Sequence, residues 1–362
     1  MPSTFTDNEH GKPKLRNWKH NQVHDQHLHD QSPRPDLRWV FPAVREIEFT
    51  KEQLAEYDAL LNDECNQKLK DFWQKKYRQD QGKNWELFYK RNETNFFKDR
   101  TWLTREFAHN GCDADMFDLQ SLSKTDGTWK FIDIGCGVGN AVFPLLKLYP
   151  NCRAYEYDVS RRAINFLEER YRTDSVLGRI VRVGVWDLIK HEHPQEIWSP
   201  KVKIEGHAHE GHAHEGHAHE AEAMDVTVTD LAISTDDYRN MDVAMLMFVL
   251  SAIPIENVQT VIGRVVKTLR VGGLLLFRDY GRYDEKEIRF AKRSQSKLDD
   301  HFYVRQDGTL ALYFDKDELD QNMSANGFEV VSSQYITRQF TNRKTGQKLN
   351  RCWLQAIYRR KS

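Results

Sequence analysis

None of the five cysteines is spaced for a metal knuckle or a redox couple. Cys65, Cys112, Cys136, Cys152 and Cys352 are scattered, with no C-x-x-C among them. That excludes a cysteine metal framework and suits a reducing compartment. No apolar run approaches the length of a membrane span, so no membrane contact is expected. The N-terminus carries Asp7 and Glu9 and has no apolar core, so neither a secretory signal nor a transit peptide is indicated. Charge of one sign is missing as well: 53 Lys and Arg stand against 54 Asp and Glu. Any pull toward nucleic acid must therefore be local. The expected location is the cytoplasm, with the nucleus as a second one. A chain of 362 residues has room for one large α/β domain and a smaller extension.

What the chain does have is a glycine-rich stretch, Phe131-Ile-Asp133-Ile-Gly135-Cys136-Gly137-Val138-Gly139-Asn140. A short apolar strand leads into three glycines at alternate positions, and a helical pattern follows through Ala141, Val142, Leu145, Leu146 and Leu148. Such a strand–turn–helix brings backbone N–H groups close to a ligand, because glycine has no Cβ in the way. Asn140 stands where a dinucleotide loop would carry its third glycine. Asp133, ahead of the first glycine, would repel a phosphate but suits a cationic amine. The next strand-like run, Arg153 to Asp158, ends in an acid 19 residues after Gly139, where a doubly wound fold places a carboxylate for ribose hydroxyls. The pairing favours a nucleoside cofactor, specifically S-adenosylmethionine. An ordinary strand–helix turn is the alternative.

Further strands are expected at Ile180–Leu188, Met241–Leu250 and Leu274–Tyr280, the second a near-continuous apolar run suited to a central parallel strand. Their ends carry Asp187, Phe248 and Arg278-Asp279, on the carboxyl edge where α/β sheets bind ligands. Gly206-His-Ala-His-Glu repeats three times through Glu220, which reads as a solvated insertion at about 191–224 and no catalytic metal site. Residues 1–37 are polar and aperiodic, a disordered tail. Residues 38–110 read as a helical extension, beginning with capping-box spacing at Thr50-Lys-Glu-Gln53. Residues 111–362 then form the catalytic domain.

Two segments carry basic residues among aromatics. Between residues 84 and 108, seven aromatics, among them Trp85, Tyr89, Phe96, Phe97 and Trp102, alternate with Lys90, Arg91, Lys98, Arg100 and Arg105. Stacking faces beside cations bind unpaired nucleotides; an amphipathic helix packing its aromatics on the main domain is the competing reading. From Tyr335 onward there are eight basic residues, including Arg343 and Lys344, and no acid. That patch suits phosphates, or else is a hairpin edge guarded by cations.

Together, Asn84-Trp85-Glu-Leu-Phe-Tyr89-Lys-Arg-Asn, Phe96-Phe97-Lys-Asp-Arg100, Gly135-Cys-Gly-Val-Gly-Asn140, Phe248-Val-Leu-Ser251-Ala, Phe277-Arg-Asp-Tyr-Gly281 and Phe302-Tyr-Val-Arg-Gln-Asp-Gly308 resemble the tRNA N3-methylcytidine methyltransferases of the methyltransferase-like group. The resemblance covers about residues 84–358. It implies a class I S-adenosylmethionine-dependent methyltransferase, Rossmann-like, with a mostly parallel seven-stranded sheet and helices on both faces. It implies a cofactor site at Trp85, Tyr89, Gly135, Gly137, Asp158, Asp187, Leu188 and Met247. Trp186 departs from the smaller residue expected there, which bears on the adenine side. The Phe-Tyr-Lys-Arg-Asn and Thr-Asn-Phe-Phe wording is similar to the branch acting on serine tRNAs, with seryl-tRNA synthetase as a candidate partner.

The implied reaction moves a methyl group to N3 of a cytosine in a tRNA anticodon loop, at position 32. N3 keeps its lone pair at neutral pH, so catalysis is mostly positioning. Methylation leaves the base cationic, and Asp279 is the expected carboxylate beside it, with Arg278 orienting base or phosphate. N3 lies on the pairing edge, so the base must be unpaired or flipped. Phe96, Phe97 and Trp102 would stack on the base or its neighbours, Lys98, Arg100, Arg105 and the C-terminal basic residues, Arg343 and Lys344 among them, would hold the backbone, and Phe248 and Arg305 complete the expected substrate-binding set. Threonine tRNAs, a protein or small-molecule substrate, and a non-enzymatic RNA-binding subunit are the alternatives.

Overall fold

Thr50 caps the first helix as its spacing predicts. Its side chain accepts from the Gln53 N–H at 3.2 Å, and Gln53 Oε1 accepts from the Thr50 N–H at 3.0 Å. The computed structural model describes residues 49–63, 67–107, 127–174, 178–200, 238–293, 295–341 and 348–362. The polar tail, the histidine repeats, Arg343 and Lys344 lie outside these residues, and of Arg105 only the backbone is described.

Helix α1 (Lys51–Leu61) lays Tyr57, Leu60 and Leu61 against Tyr283, Ile288 and Ala291. Helices α2 (Asp71–Gln79) and α3 (Gln81–Asn92) follow, separated only by Asp80, and α4 (Leu103–Glu106) closes the extension. Then come β1 (Trp129–Ile134), α5 (Val142–Leu148), β2 (Cys152–Asp158), α6 (Arg161–Tyr171), β3 (Ile180–Val185), β4 (Glu196–Trp198) and β5 (Met241–Met247). The second half runs α7 (Val258–Val266), β6 (Leu269–Tyr280), α8 (Glu285–Ala291), β7 (Lys297–Asp299), β8 (Phe302–Val304), β9 (Leu310–Leu312), α9 (Lys316–Ala325), β10 (Phe328–Thr341) and β11 (Lys348–Arg360).

Among the described residues the main sheet has eight strands, in the order β10-β11-β6-β5-β1-β2-β3-β4. The strands from β3 through β6 run parallel, while β11 and β10 are antiparallel additions. Seven strands follow the expected arrangement. The eighth, β4, is a three-residue strand antiparallel to β3, too short for a periodic signal. Strand β6 begins at Leu269, five residues before its expected start at Leu274. Gly272, at φ +76°, and a register shift against β5 let the chain stay paired across the Gly-Gly turn.

Alternation along the strands feeds two cores. One face packs Ile132, Leu275, Phe277 and Leu354 on α7 residues Val258, Val261, Ile262 and Val265. The other packs Phe131, Met245 and Leu276 on Val142, Leu145, Ile164 and Leu167 of α5 and α6. A separate sheet, β7-β8-β9, carries the Phe302–Gly308 motif on β8 and its following turn. No helix among the described residues is long and apolar enough to cross a membrane.

Candidate active site

The turn after β1 takes the backbone into the left-handed region three times, at Gly135 (φ +74°), Gly137 (φ +59°) and Gly139 (φ +82°). Only glycine does this without strain. Space matters too: a Cβ on Gly137 would sit 2.6 Å from the Tyr89 hydroxyl. The N–H of Gly137 donates to Asp158 Oδ2 at 2.9 Å, and Oδ1 of the same carboxylate accepts from the Ser160 N–H at 2.8 Å. Asp158 thus braces the loop from the end of β2. Burial pushes its pKa up to about 6, against the pull of those N–H donors.

Asp133 is 2% exposed behind the loop. Burial raises its pKa to about 7, with the Asp158 charge adding to the effect and the Arg100 guanidinium opposing it. A carboxylate held so near neutrality favours any cation that reaches it. Glu156, paired with Asp133 across β1 and β2, is fully buried with both oxygens unpartnered. Burial first, then the Asp133 charge, pushes its pKa well up.

Toward the adenine side a groove of about 490 Å³ is lined by Gly82, Glu86, Val159, Asp187, His191 and Gln195 among others. Asp187 Oδ1 accepts from the Ile189 N–H at 3.0 Å and its own N–H donates to Gln195 Oε1 at 3.0 Å, so the acid is held at the groove wall. Leu188 is buried beside it. Trp186 turns away into the core, 5.3 Å from the Tyr238 ring and 6.0 Å from Tyr157. Its bulk therefore stays off the groove.

Helix α3 covers this site. Tyr89 is buried over the glycine loop, Trp85 packs beside it with ring centroids 6.2 Å apart, and Glu86 accepts from Ser160 Oγ at 2.6 Å. Asn84 Nδ2 donates to the Gly308 carbonyl at 2.8 Å, tying the other flank to the β8–β9 turn. Two distant sequence motifs meet there. A glycine cradle, acids beside it and an adjoining polar groove fit S-adenosylmethionine, with Trp85 and Tyr89 above the loop.

Beside the loop, Phe248 follows β5 with φ +64°, an uncommon conformation for an aromatic residue and a mark of functional sites. The Arg100 guanidinium lies 5.3 Å from its ring and donates to the Met247 carbonyl at 3.0 Å. Phe248 leans on Tyr280 at 5.3 Å, Tyr280 on Tyr313 at 5.6 Å, and Arg305 stands 5.5 Å from the Tyr280 ring. Arg100, Met247, Phe248 and Arg305 thus converge, with Arg100 on a ring and a carbonyl where a place on the RNA backbone is expected. Tyr280 and Tyr313 carried no separate sequence signal beyond lying in or next to quoted motifs.

Arg278 and Asp279 are placed differently from expectation. Arg278 is 3% exposed, ion-paired with Glu106 and bonded to Gln355 Oε1 at 3.1 Å. Its guanidinium lies 4.2 Å from Trp102 and 5.0 Å from Trp353. Burial, with Arg338 and Arg100 nearby, lowers its pKa to about 9. Its Nη1 is paired with Glu106 and Gln355 and its Nε is buried without a partner, so the guanidinium is enclosed by protein and does not reach out to a base or phosphate. Asp279 is fully buried, accepting from the Ser251 N–H and the Tyr280 N–H at 2.9 Å each. It braces Ser251 and Tyr280 from below instead of lining the pocket, and burial raises its pKa to about 6.

Of the remaining aromatics, Phe96 is 53% exposed. Phe97 packs under α3, 5.8 Å from Phe88, and Trp102 packs on Arg278, which is the amphipathic-packing alternative at both positions. Lys98 is exposed. Glu106, missed in the sequence, also pairs with Arg338 and so joins α4 to the C-terminal hairpin. Among the described residues no three His, Cys, Asp or Glu side chains gather as a metal site.

A methyltransferase-domain family profile matches residues 116–333. The human protein named tRNA N(3)-cytidine methyltransferase METTL6 is 35% identical over 309 residues, spanning 83% of this chain and 89% of that one. The Schizosaccharomyces pombe protein named tRNA N(3)-methylcytidine methyltransferase trm141 is 32% identical, over 81% of this chain and 98% of its own length. Among solved structures, a SAM-dependent methyltransferase from Anabaena variabilis superposes with a TM-score of 0.46 at 13% identity, covering 77% of this chain and 95% of that one.

Proposed function

The chain belongs to the tRNA N3-methylcytidine methyltransferases, and from that premise we propose that it methylates N3 of the cytidine at position 32 in the anticodon loop of serine tRNAs. The enzyme is S-adenosylmethionine-dependent. One observation carries the reading: beside the glycine cradle at the β1 and β2 ends, Phe248, Tyr280, Arg100 and Arg305 form an aromatic, doubly cationic cluster. That cluster suits a single unpaired base next to a methyl donor. The wording of the Asn84–Asn95 stretch supports the serine branch, and relatives named for tRNA cytidine methylation support the substrate class.

S-adenosylmethionine, when bound, supplies the electrophilic methyl group. Asp133 offsets a cationic amine behind the glycine loop, and Asp158 and Asp187 accept from hydroxyl and amine donors along the groove. Phe248 and Tyr280 offer aromatic surface on which the base stacks. The guanidinium donors of Arg100 and Arg305 that the Met247 and Leu310 carbonyls do not engage donate to the base's exocyclic oxygen or its phosphate, orienting N3 without deprotonating anything. Asp279 keeps Tyr280 and Ser251 in register beneath the base.

The test is methyl transfer from labelled S-adenosylmethionine to total tRNA, with nucleoside analysis, run with and without seryl-tRNA synthetase. The expected product is 3-methylcytidine in serine tRNAs. The same product confined to threonine tRNAs would overturn the branch, and no label on any tRNA in either arm would overturn the substrate class.

A further inference from the structure

The turn after β3 carries the acid of the adenine side, and most of that acid's bonds stay within the turn. Asp187 Oδ1 accepts from the Ile189 N–H at 3.0 Å and the Lys190 N–H at 3.2 Å, and Oδ2 lies 3.0 Å from Lys190 Nζ. These bonds fix the carboxylate relative to its own turn. They leave open how the turn itself sits on the groove.

Three side chains from outside the turn decide that. Arg264 of α7 donates to the Leu188 carbonyl, and Trp186 Nε1 donates to the His191 carbonyl at 3.2 Å. The bulky residue that stays off the groove thus anchors the far end of the turn. Gln195 anchors the near end, and of the three it alone bonds Asp187 itself: its Oε1 accepts from the Asp187 N–H at 3.0 Å. The glutamine is held in turn. Its Nε2 donates to the His193 carbonyl at 2.6 Å, and its backbone N–H donates to the Val185 carbonyl at 2.9 Å, next to the β3–β4 pairing.

Gln195 is exposed and lines the same groove as Asp187. Fixing an exposed glutamine costs rotamer entropy. What its three bonds secure is the direction of the Asp187 backbone, and with it the carboxylate. The start of α3 stands close by, since a Cβ on Gly82 would lie 3.8 Å from Asp187 Oδ2. The acid therefore lies between its own turn and α3, and its aim along the groove depends on how the turn is held.

We propose that Gln195 is a positioning residue for adenine selectivity: by taking the Asp187 N–H it aims the Asp187 carboxylate at the exocyclic amine of the cofactor's adenine. Asp187 touches the base, and Gln195 acts through it. This inference rests on the S-adenosylmethionine reading of the groove, with Asp187 as the acceptor of that amine.

The test measures binding of S-adenosylhomocysteine and S-inosylhomocysteine to the full chain, to Gln195→Leu, Gln195→Glu and Asp187→Ala, and to the Asp187→Ala, Gln195→Leu double variant. The inosyl ligand carries an oxygen in place of the amine and so faces the carboxylate with an acceptor. The unaltered chain is expected to favour the adenosyl ligand at least about tenfold, the worth of one charged hydrogen bond. Gln195→Leu keeps the bulk and loses both polar atoms. It should cut that ratio at least about threefold and leave S-inosylhomocysteine affinity within about twofold. Gln195→Glu keeps an oxygen for the Asp187 N–H, so its ratio should fall no more than about twofold below that of the unaltered chain. In the Asp187→Ala background, Gln195→Leu should change neither affinity.

Equal weakening of both ligands by Gln195→Leu would make the glutamine merely structural and overturn the proposal. An unchanged ratio in Gln195→Leu, or one as low in Gln195→Glu as in Gln195→Leu, overturns it as well. A loss that persists without the Asp187 carboxylate puts Gln195 on the base directly, again against the proposal. If the unaltered chain binds both ligands equally, Asp187 is not the amine's acceptor. If it binds neither, the cofactor reading itself has failed.

Discussion

At the scale of single residues, Asp133 makes the sharpest prediction. Its carboxyl has a pKa near 3.8 in the unfolded chain and about 7 in the fold. The ligand-free protein therefore binds an extra proton between those values. Its contribution to stability is present at acid pH and is lost as pH rises through about 7. A cationic amine prefers the ionised form, so S-adenosylhomocysteine affinity should rise over the same window and level off above about pH 7. Titration calorimetry from pH 5.5 to 8.5 checks this, and Asp133→Asn should flatten the profile and weaken binding at neutral pH. Glu106 is the second case. Replacing it with Ala leaves Arg278, 3% exposed, without its carboxylate partner. Breaking a buried pair in this way costs about 3 kcal/mol, readable as a lower denaturation midpoint. The stacking of Arg278 between Trp102 and Trp353 recovers only part of it.

At the scale of elements, α3 and the glycine loop form one unit. Gly137 has both a left-handed φ and the Tyr89 hydroxyl where a Cβ would go. Gly137→Ala should therefore lift α3 off the loop and abolish measurable cofactor binding, while the sheet and its two cores persist by circular dichroism. The inner face of α3 touches Ser160 and the Gly308 carbonyl as well as the loop.

At the scale of the whole molecule, the extension, the parallel sheet, the small β7–β9 sheet and the C-terminal hairpin all contribute to one site. Ion pairs and side-chain bonds across elements link them: Asn84 to Gly308, Asp99 to Arg170, Glu106 to Arg278 and Arg338. The histidine repeats lie outside the described residues, between β4 on the sheet edge and Tyr238, which is buried against Trp186. Excising residues 206–220 should leave methyl transfer within about twofold and the thermal midpoint nearly unchanged, whereas a large loss of transfer would give the repeats a part in the reaction.

The sequence by itself determined the elements whose information is local. The capping box at Thr50, the strand–glycine–helix unit at 129–148, the apolar run of β5 and the paired strands around residue 342 each depend on neighbours a few positions apart. The acids at strand ends were legible for the same reason, since a parallel sheet delivers every strand end to one edge. Only the tertiary structure decided which charged and aromatic side chains face the ligand. Arg278-Asp279 ends a strand as expected, yet Glu106, 172 residues away, claims the arginine, and the Ser251 N–H, 28 residues away, claims the acid. Phe96 and Phe97 are adjacent and chemically identical, but one is left in water and the other packs under α3. Periodicity gives a residue a face on its own element. What that face meets depends on long-range packing, where burial and the pairing of buried charge settle each side chain's place.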